Sequence, residues 1–173
     1  MATTKPILSS LVSITRTYGH RLLSDLKDKN IYWIPTQTQG RSIYSYFRHL
    51  VNAEIYWLKE FGFSPPEYLG EDTSFEDLIK RYDYLEDYLI QTIQKVPDDQ
   101  LKIITPIKEG DKLTRYGTFG WMIWRTSLHA VHHLAQISYL RFTQGNPPPE
   151  DPKTSWSKIM DQIIMLNHGL DVE

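Results

Sequence analysis

Apolar and polar positions follow a helical spacing in five segments of the chain. The first segment covers about residues 7–30 and carries one apolar stripe, made by Ile7, Leu11, Ile14, Tyr18, Leu22 and Leu26. The other four cover about residues 42–62, 74–95, 118–143 and 154–167. Because residues three or four positions apart lie on the same face of an α-helix, this pattern predicts five helices.

Polar capping residues mark where three of these helices begin. Ser42 and Thr118 precede the second and fourth segments, and Ser74 with Asp77 three residues later forms a carboxylate variant of the capping box. Residues 101–116 are expected to form a loop or a short hairpin that turns at Gly110–Asp111. Long helices joined mainly by short or medium loops are typical of an up-and-down four-helix bundle. We therefore expect an all-α fold of that kind, with an additional short C-terminal helix, negligible strand content and a single domain over residues 1–173.

The composition of the chain argues against nucleic acid and membranes as partners of this protein. The chain is 40% apolar and has five Trp and eleven Tyr, which is enough to build a core, and its formal charge is -2. This balance offers no basic face for nucleic acid, so a small-molecule substrate is expected. Cysteine is absent, which leaves no disulfide and no protein thiolate as a ligand or nucleophile. Neither a signal peptide nor an apolar run of membrane-spanning length is recognisable, so we expect a cytoplasmic protein with no membrane partner.

The histidines of the fourth segment are the first candidates for chemistry. His129 and His133 are four residues apart, so on a helix both imidazoles point from nearly the same face and can converge on one ion. His132 is turned roughly 100° from His133 by the helical repeat, which favours a packing or supporting role. Two histidines at this spacing can also be ordinary packing or solvent-facing residues, so a metal site needs a third ligand.

His49 in the second segment supplies that third ligand. It lies off the apolar stripe, among small and polar residues that are poor core but good cavity lining. The candidate pocket residues around the three histidines are Tyr46, Asn52, Ala53, Tyr56, His132 and Gln136. Glu54 points away from His49 by helical phase, and His20 and His168 have no such setting and are expected at the surface.

Two segments of the chain resemble the DinB family, whose broader group includes the YfiT-like metal-dependent hydrolases. In residues 40–57 a serine opens the helix, and the His49–Leu50 step is followed by Glu54 and Trp57. Residues 129–137 are similar to the family's His-x-x-His-His-x-x-Gln-Ile signature, although Leu134–Ala135 stands where many members carry Arg-Gly. The resemblance implies a four-helix bundle that holds one divalent cation, zinc or nickel most often, through His49, His129 and His133.

Three neutral imidazoles leave coordination positions open for water or substrate, which is typical of a catalytic metal site. Relatives in the DinB family include transferases and isomerases that use low-molecular-weight thiols, and no carboxylate on the two ligand helices is an obvious general base. We therefore favour a thiol-dependent S-transferase. The alternatives are a metal-dependent hydrolase and a non-catalytic metal-binding bundle that acts as a binding module. Loops 31–41, 62–73 and 101–117 are expected to set substrate specificity, and the first and last helices offer faces for a homodimer.

Overall fold

The computed structural model describes residues 5–35, 40–109, 112–151 and 155–168, which form six helices and one small sheet. The helices are α1 (Lys5–Leu23), α2 (Asp28–Ile31), α3 (Ile43–Glu60), α4 (Phe75–Lys95), α5 (Phe119–Thr143) and α6 (Trp156–Asn167), with a 3-10 turn at Gln100–Lys102. The strands β1 (Thr105–Glu109) and β2 (Lys112–Gly117) pair antiparallel. The predicted all-α bundle is confirmed, and of the two alternatives expected for residues 101–116, a loop or a short hairpin, the structure has the hairpin. The expected turn at Gly110–Asp111 lies outside the described residues.

Side-chain caps fix the first turns of the three helices whose starts were predicted. The hydroxyls of Ser42, Ser74 and Thr118 each accept a hydrogen bond from the backbone amide three residues later. Such a bond satisfies one of the amides that the first turn of a helix leaves without a partner. The Ser74 hydroxyl also donates to the Asp77 carboxylate at 2.7 Å, so the two side chains predicted to cap this helix are in direct contact.

The four long helices form a ring in which α1 and α3 each pack against both α4 and α5, and α6 lies against α1. The carboxyl-terminal ends of α1 and α5 meet, because Arg141 of α5 donates to the Leu22 carbonyl. Helices α3 and α5 run in opposite directions, since Tyr46 contacts His133 while Trp57, near the other end of α3, contacts Trp121. This antiparallel pair carries the predicted histidines.

Helix α4 runs in the same direction as α3, so the chain does not alternate strictly up and down. The loop between them, residues 61–74, returns along the outside of α3. Asn52 exchanges two hydrogen bonds with the backbone of Leu69, and further along Tyr44 donates to the Thr73 carbonyl. Helix α4 therefore starts beside the start of α3, where Phe47 and Phe75 pack with ring centroids 5.7 Å apart.

The first helix is shorter than the apolar stripe predicts. It ends at Leu23, where the prediction extended it to about Asn30, because Asp25 has a φ of 56° in the left-handed region. Arg141 is 1% exposed and donates to the carbonyls of Leu22 and Ser24, which the end of the helix leaves free. A separate turn, α2, follows and carries the buried Ile31.

The interior of the bundle is mainly apolar, and an ion pair lies among its described residues. Arg16 of α1 donates to the Glu54 carboxylate of α3 at 2.5 Å, and both side chains are almost fully buried. The Arg16 guanidinium lies 3.7 Å from the centroid of the Tyr82 ring. Glu54 is therefore part of the buried core, where it pairs with Arg16, and it points away from the histidines as its helical phase predicts. Among the described helices, none combines the length and apolar character needed to cross a membrane.

Candidate metal centre

Three histidines meet in the interface between α3 and α5. His49 comes from the first half of α3, and His129 and His133 come from successive turns of α5. Each of the three offers a ring nitrogen, and these nitrogens lie within 4.8 Å of one another. The centroid of the His49 ring is 5.2 Å from that of His129 and 4.8 Å from that of His133. The antiparallel packing of α3 against α5 thus brings His49 into one cluster with His129 and His133, from which it is distant in sequence.

The hydrogen bonds of His133 set its tautomer. Its Nδ1 lies 2.6 Å from Oε1 of Gln136, and an amide oxygen can only accept, so Nδ1 carries the hydrogen. The lone pair is therefore on Nε2, which lies 3.0 Å from Nε2 of His129. Gln136 thus orients the imidazole from the side opposite the cluster, as partners of metal-bound histidines commonly do.

The charges around the cluster favour neutral imidazoles. Burial, followed by the positive charge of His133, His49 and Arg125, lowers the pKa of His129 to about 4. Burial also lowers the pKa of His49, and the charges of His133 and Arg41 act in the same direction. For His133, burial lowers the pKa more than the hydrogen bond to Gln136 raises it. Neutral rings keep their lone pairs available near pH 7, which a divalent cation requires of histidine ligands.

The cluster fits a divalent cation in its donor atoms and nearly in its spacing. Three nitrogen donors on a tetrahedral zinc ion would lie roughly 3.3 Å apart, since each bond is about 2.0–2.1 Å long. The observed separations reach 4.8 Å at most, so small side-chain rotations would close the difference. His133 is 9% exposed, whereas His49 and His129 are only partly covered, so one side of the cluster is open to small molecules. The three-histidine group can therefore hold a metal ion and leave room beside it.

Of the predicted pocket residues, Tyr46, His132 and Gln136 lie beside the cluster. The ring of Tyr46 is 5.6 Å from that of His133, and the ring of His132 is 5.0 Å from it. Together with Gln136 they line a cavity of about 440 Å³, which extends along α5 to Tyr139 and Leu140. His132 itself is exposed and belongs to the wall of this cavity.

For the other three predicted pocket residues, the structure gives burial or contacts with other neighbours. Asn52 holds the return loop through Leu69, because both ends of its amide bond to that backbone. Tyr56 packs against Trp57 with ring centroids 5.2 Å apart, and Ala53 is half-buried on α3. Outside the cluster, His20 bonds Asp83 at the surface and His168 is exposed, in agreement with the sequence.

Sequence reasoning missed the two arginines that flank the cluster. Arg41 acts electrostatically on His49 and His133, and Arg125 acts on His129. Arg41 directly precedes the capping Ser42, so its proximity follows from where α3 begins. Arg125 is one turn before His129 on α5, and a count along that helix would have found it. No carboxylate is among the charges that act on the three imidazoles within the described part of the chain.

Comparison with known proteins agrees with the geometry. No curated protein matches the chain. The family model described as the DinB superfamily matches residues 12–137, a span that begins in α1, ends in α5 and contains all three clustered histidines. The match covers well over half of the chain, so this protein belongs to the DinB superfamily.

Proposed function

We propose that this protein is a metal-dependent S-transferase, in which His49, His129 and His133 hold one zinc or nickel ion and the cosubstrate is a low-molecular-weight thiol. A divalent cation bound there would supply a positive centre that keeps the sulfur of the cosubstrate as a thiolate, its nucleophilic form. The observation that carries the proposal is the charge around the cluster: the arginines act on it, and none of the described carboxylates does.

This charge pattern favours transfer over hydrolysis. A hydrolase needs a general base within hydrogen-bond reach of the attacking water, and the described surroundings of the cluster place no carboxylate there. A thiolate needs no such base once its proton has left, and nearby cations stabilise it. The absence of cysteine from the chain fits this chemistry, because the reacting sulfur then comes only from the cosubstrate.

The protein side chains have three tasks in the proposed reaction. Gln136 holds His133 in the tautomer whose Nε2 lone pair faces the cluster. Arg41 and Arg125 favour the anionic form of the thiol, whose proton leaves to solvent. Sulfur then forms a bond to the carbon of an electrophile, and the leaving group departs with the electron pair of the bond that breaks. Tyr46, whose ring packs against that of His133, would help to position the electrophile beside the cluster.

The first test is metal content by plasma mass spectrometry on untagged protein, with His49→Ala, His129→Ala and His133→Ala variants. His20→Ala is the matched control, because His20 bonds Asp83 far from the cluster. We expect near-stoichiometric metal in the wild type and the control, and its loss in each cluster variant while circular dichroism still shows the helices. A wild type that cannot be loaded with zinc or nickel would contradict the proposal.

The second test separates the reaction types. The loaded protein is given a panel of thiols with 1-chloro-2,4-dinitrobenzene, and in parallel a 4-nitrophenyl ester without thiol. We expect thiol conjugation that disappears with the metal. Ester cleavage without any thiol conjugation would instead identify a hydrolase, and a stable metal with neither activity would favour a non-catalytic binding module.

A further inference from the structure

The cavity beside the three histidines combines apolar walls with a positive end. It measures about 440 Å³, and its apolar part is formed by side chains such as Pro35 and Leu140 with the rings of Tyr46 and Tyr139. Arg41 and Gln136 are among its polar lining residues, and Arg41 brings the positive charge. Cavities with apolar walls and a few convergent polar groups are typical of small-molecule binding sites.

Arg41 has neither an acceptor nor a ring partner among the described residues, whereas Arg48 and Arg125 nearby each have one. Arg48, two turns along on α3, binds the Glu71 carboxylate at 3.2 Å. Arg125, at the other side of the histidine cluster, lies over the Trp57 ring at 5.4 Å. Arg41 instead lines the cavity and acts electrostatically on His49 and His133, so an anion that entered the cavity would meet a guanidinium that no described residue binds.

Gln136 adds a second donor to the same cavity. Its Oε1 accepts from Nδ1 of His133, so its amide nitrogen keeps two hydrogens, and no described residue accepts them. A carboxylate bound by Arg41 can accept one of these hydrogens as well. Gln136 would then contact both a histidine of the cluster and the bound anion, which ties the cavity to the cluster.

We infer that the cavity is an anion subsite in which Arg41, helped by Gln136, holds a carboxylate of the thiol cosubstrate. This inference rests on the proposed function, since it assigns the second attachment point of the molecule whose sulfur binds at the histidine cluster. One molecule that uses both attachment points gains affinity and is fixed in orientation, because the second contact is intramolecular once the first has formed. Arg41 is accordingly a specificity-determining residue.

The test compares two thiols of equal chain length, 3-mercaptopropionate and 3-mercapto-1-propanol, on protein loaded with cobalt(II). Each titration follows the sulfur-to-cobalt charge-transfer absorbance at fixed pH and ionic strength, so the readout is binding and not turnover. The variant is Arg41→Gln, which removes the charge and keeps a polar chain. The matched control is Arg48→Gln, a loss of the same charge from a residue already paired with Glu71.

We expect wild type and Arg48→Gln to bind the carboxylate thiol about tenfold or more tightly than the alcohol, as a charge-assisted hydrogen bond predicts. In Arg41→Gln this preference should disappear, because the carboxylate thiol loses much more affinity than the alcohol, whose thiolate loses only the more distant charge of Arg41. Equal binding of both thiols by the wild type, or a preference that survives in Arg41→Gln, would overturn the subsite and leave the transferase proposal standing. A loaded protein that shows no charge-transfer band with either thiol, or a chain that takes up no cobalt, would overturn both.

Discussion

Replacing Gln136 with leucine tests whether its hydrogen bond to His133 prepares the cluster for a metal ion. The substitution keeps a side chain of similar volume and removes the acceptor for the Nδ1 hydrogen. Without that acceptor the proton can move to Nε2, where Nε2 of His129 is 3.0 Å away and can accept it. The hydrogen bond that already joins the two histidines would then reverse, with Nε2 of His133 as its donor, so the Nε2 lone pair of His133 would no longer be free for a metal.

The expected loss of metal affinity follows from the competition between the two tautomers of His133. Loss of a residue that orients a metal ligand typically reduces metal affinity about 10–100-fold, which is roughly 1.4–2.7 kcal/mol. We expect Gln136→Leu near the upper part of that range, because the 2.6 Å contact that holds the hydrogen on Nδ1 is lost and Nε2 of His133 can then donate to Nε2 of His129. Gln136→Glu should bind zinc at least as tightly as wild type, because a carboxylate is the stronger acceptor for Nδ1–H.

Zinc affinity is best measured by competition with a chromogenic chelator on untagged protein at pH 7.5. Gln94→Leu is the matched control, because Gln94 bonds Ser9 at the far end of the bundle. Circular dichroism and a urea titration of each metal-free variant show whether the fold is intact. If Gln136→Leu binds zinc within about threefold of wild type, below the range expected for an orienting residue, the assignment of the tautomer to Gln136 is wrong.

Three further predictions concern the bundle around the site. Glu54→Gln should lower the free energy of unfolding by about 3–5 kcal/mol, since it leaves Arg16 charged and buried, and a urea titration measures this loss. The metal-free protein should lose stability as pH falls from 6.5 towards 4. In the folded state the pKa of His129 is lowered to about 4, so as pH falls the unfolded chain binds a proton at this histidine before the folded chain does. Urea midpoints across that range should therefore fall less in His129→Asn than in wild type. Gly19→Ala should cost about 1–3 kcal/mol in thermal unfolding because the new methyl group would collide with the buried hydroxyl of Tyr82, and Tyr82→Phe should recover part of the loss.

A control variant or a contradicting result can be stated for each of these three predictions. For the buried pair the control is Glu71→Gln, which breaks the exposed contact to Arg48 and should cost less than about 1 kcal/mol. A Glu54→Gln loss of that same size would show that the ion pair contributes no more than a surface one. If the urea midpoints of His129→Asn fall with pH as steeply as those of wild type, His129 is not the source of the pH dependence. If Gly19→Ala is as stable as wild type, the close contact between Gly19 and Tyr82 is contradicted.

The helices were predictable because their signals are local. Ser74 caps α4 where the sequence places it, and the apolar faces of α3 and α5 follow from residues three or four apart. The end of α1 was not predictable, since Leu26 continues the stripe while the chain turns at Asp25. The carbonyls freed there are satisfied by Arg141, far along the chain, and periodicity carries no information about such a contact.

In the candidate site, too, the features set by one helix were predictable from the sequence, and those set by contacts between distant segments were not. The spacing of His129 and His133, and the position of Gln136 three residues later, follow from the geometry of one helix. The cavity does not, because it forms only where Arg41 from the approach to α3 meets the later turns of α5. The role of Asn52 also depended on tertiary structure: its face of α3 looked suited to a pocket, and the return loop covers it.

The origin of the three histidines from two helices has a consequence for how the protein assembles. His129 and His133 are brought together as soon as α5 forms, whereas His49 joins them only when α3 and α5, which are distant in sequence, have docked. Contacts between distant segments carry a loop-closure cost and commonly form late in folding. An ion that needs all three rings would therefore add its stabilisation after the rate-limiting step, so it would slow unfolding with little effect on the folding rate. Metal loading would in that case protect the chain chiefly by extending the lifetime of its folded state.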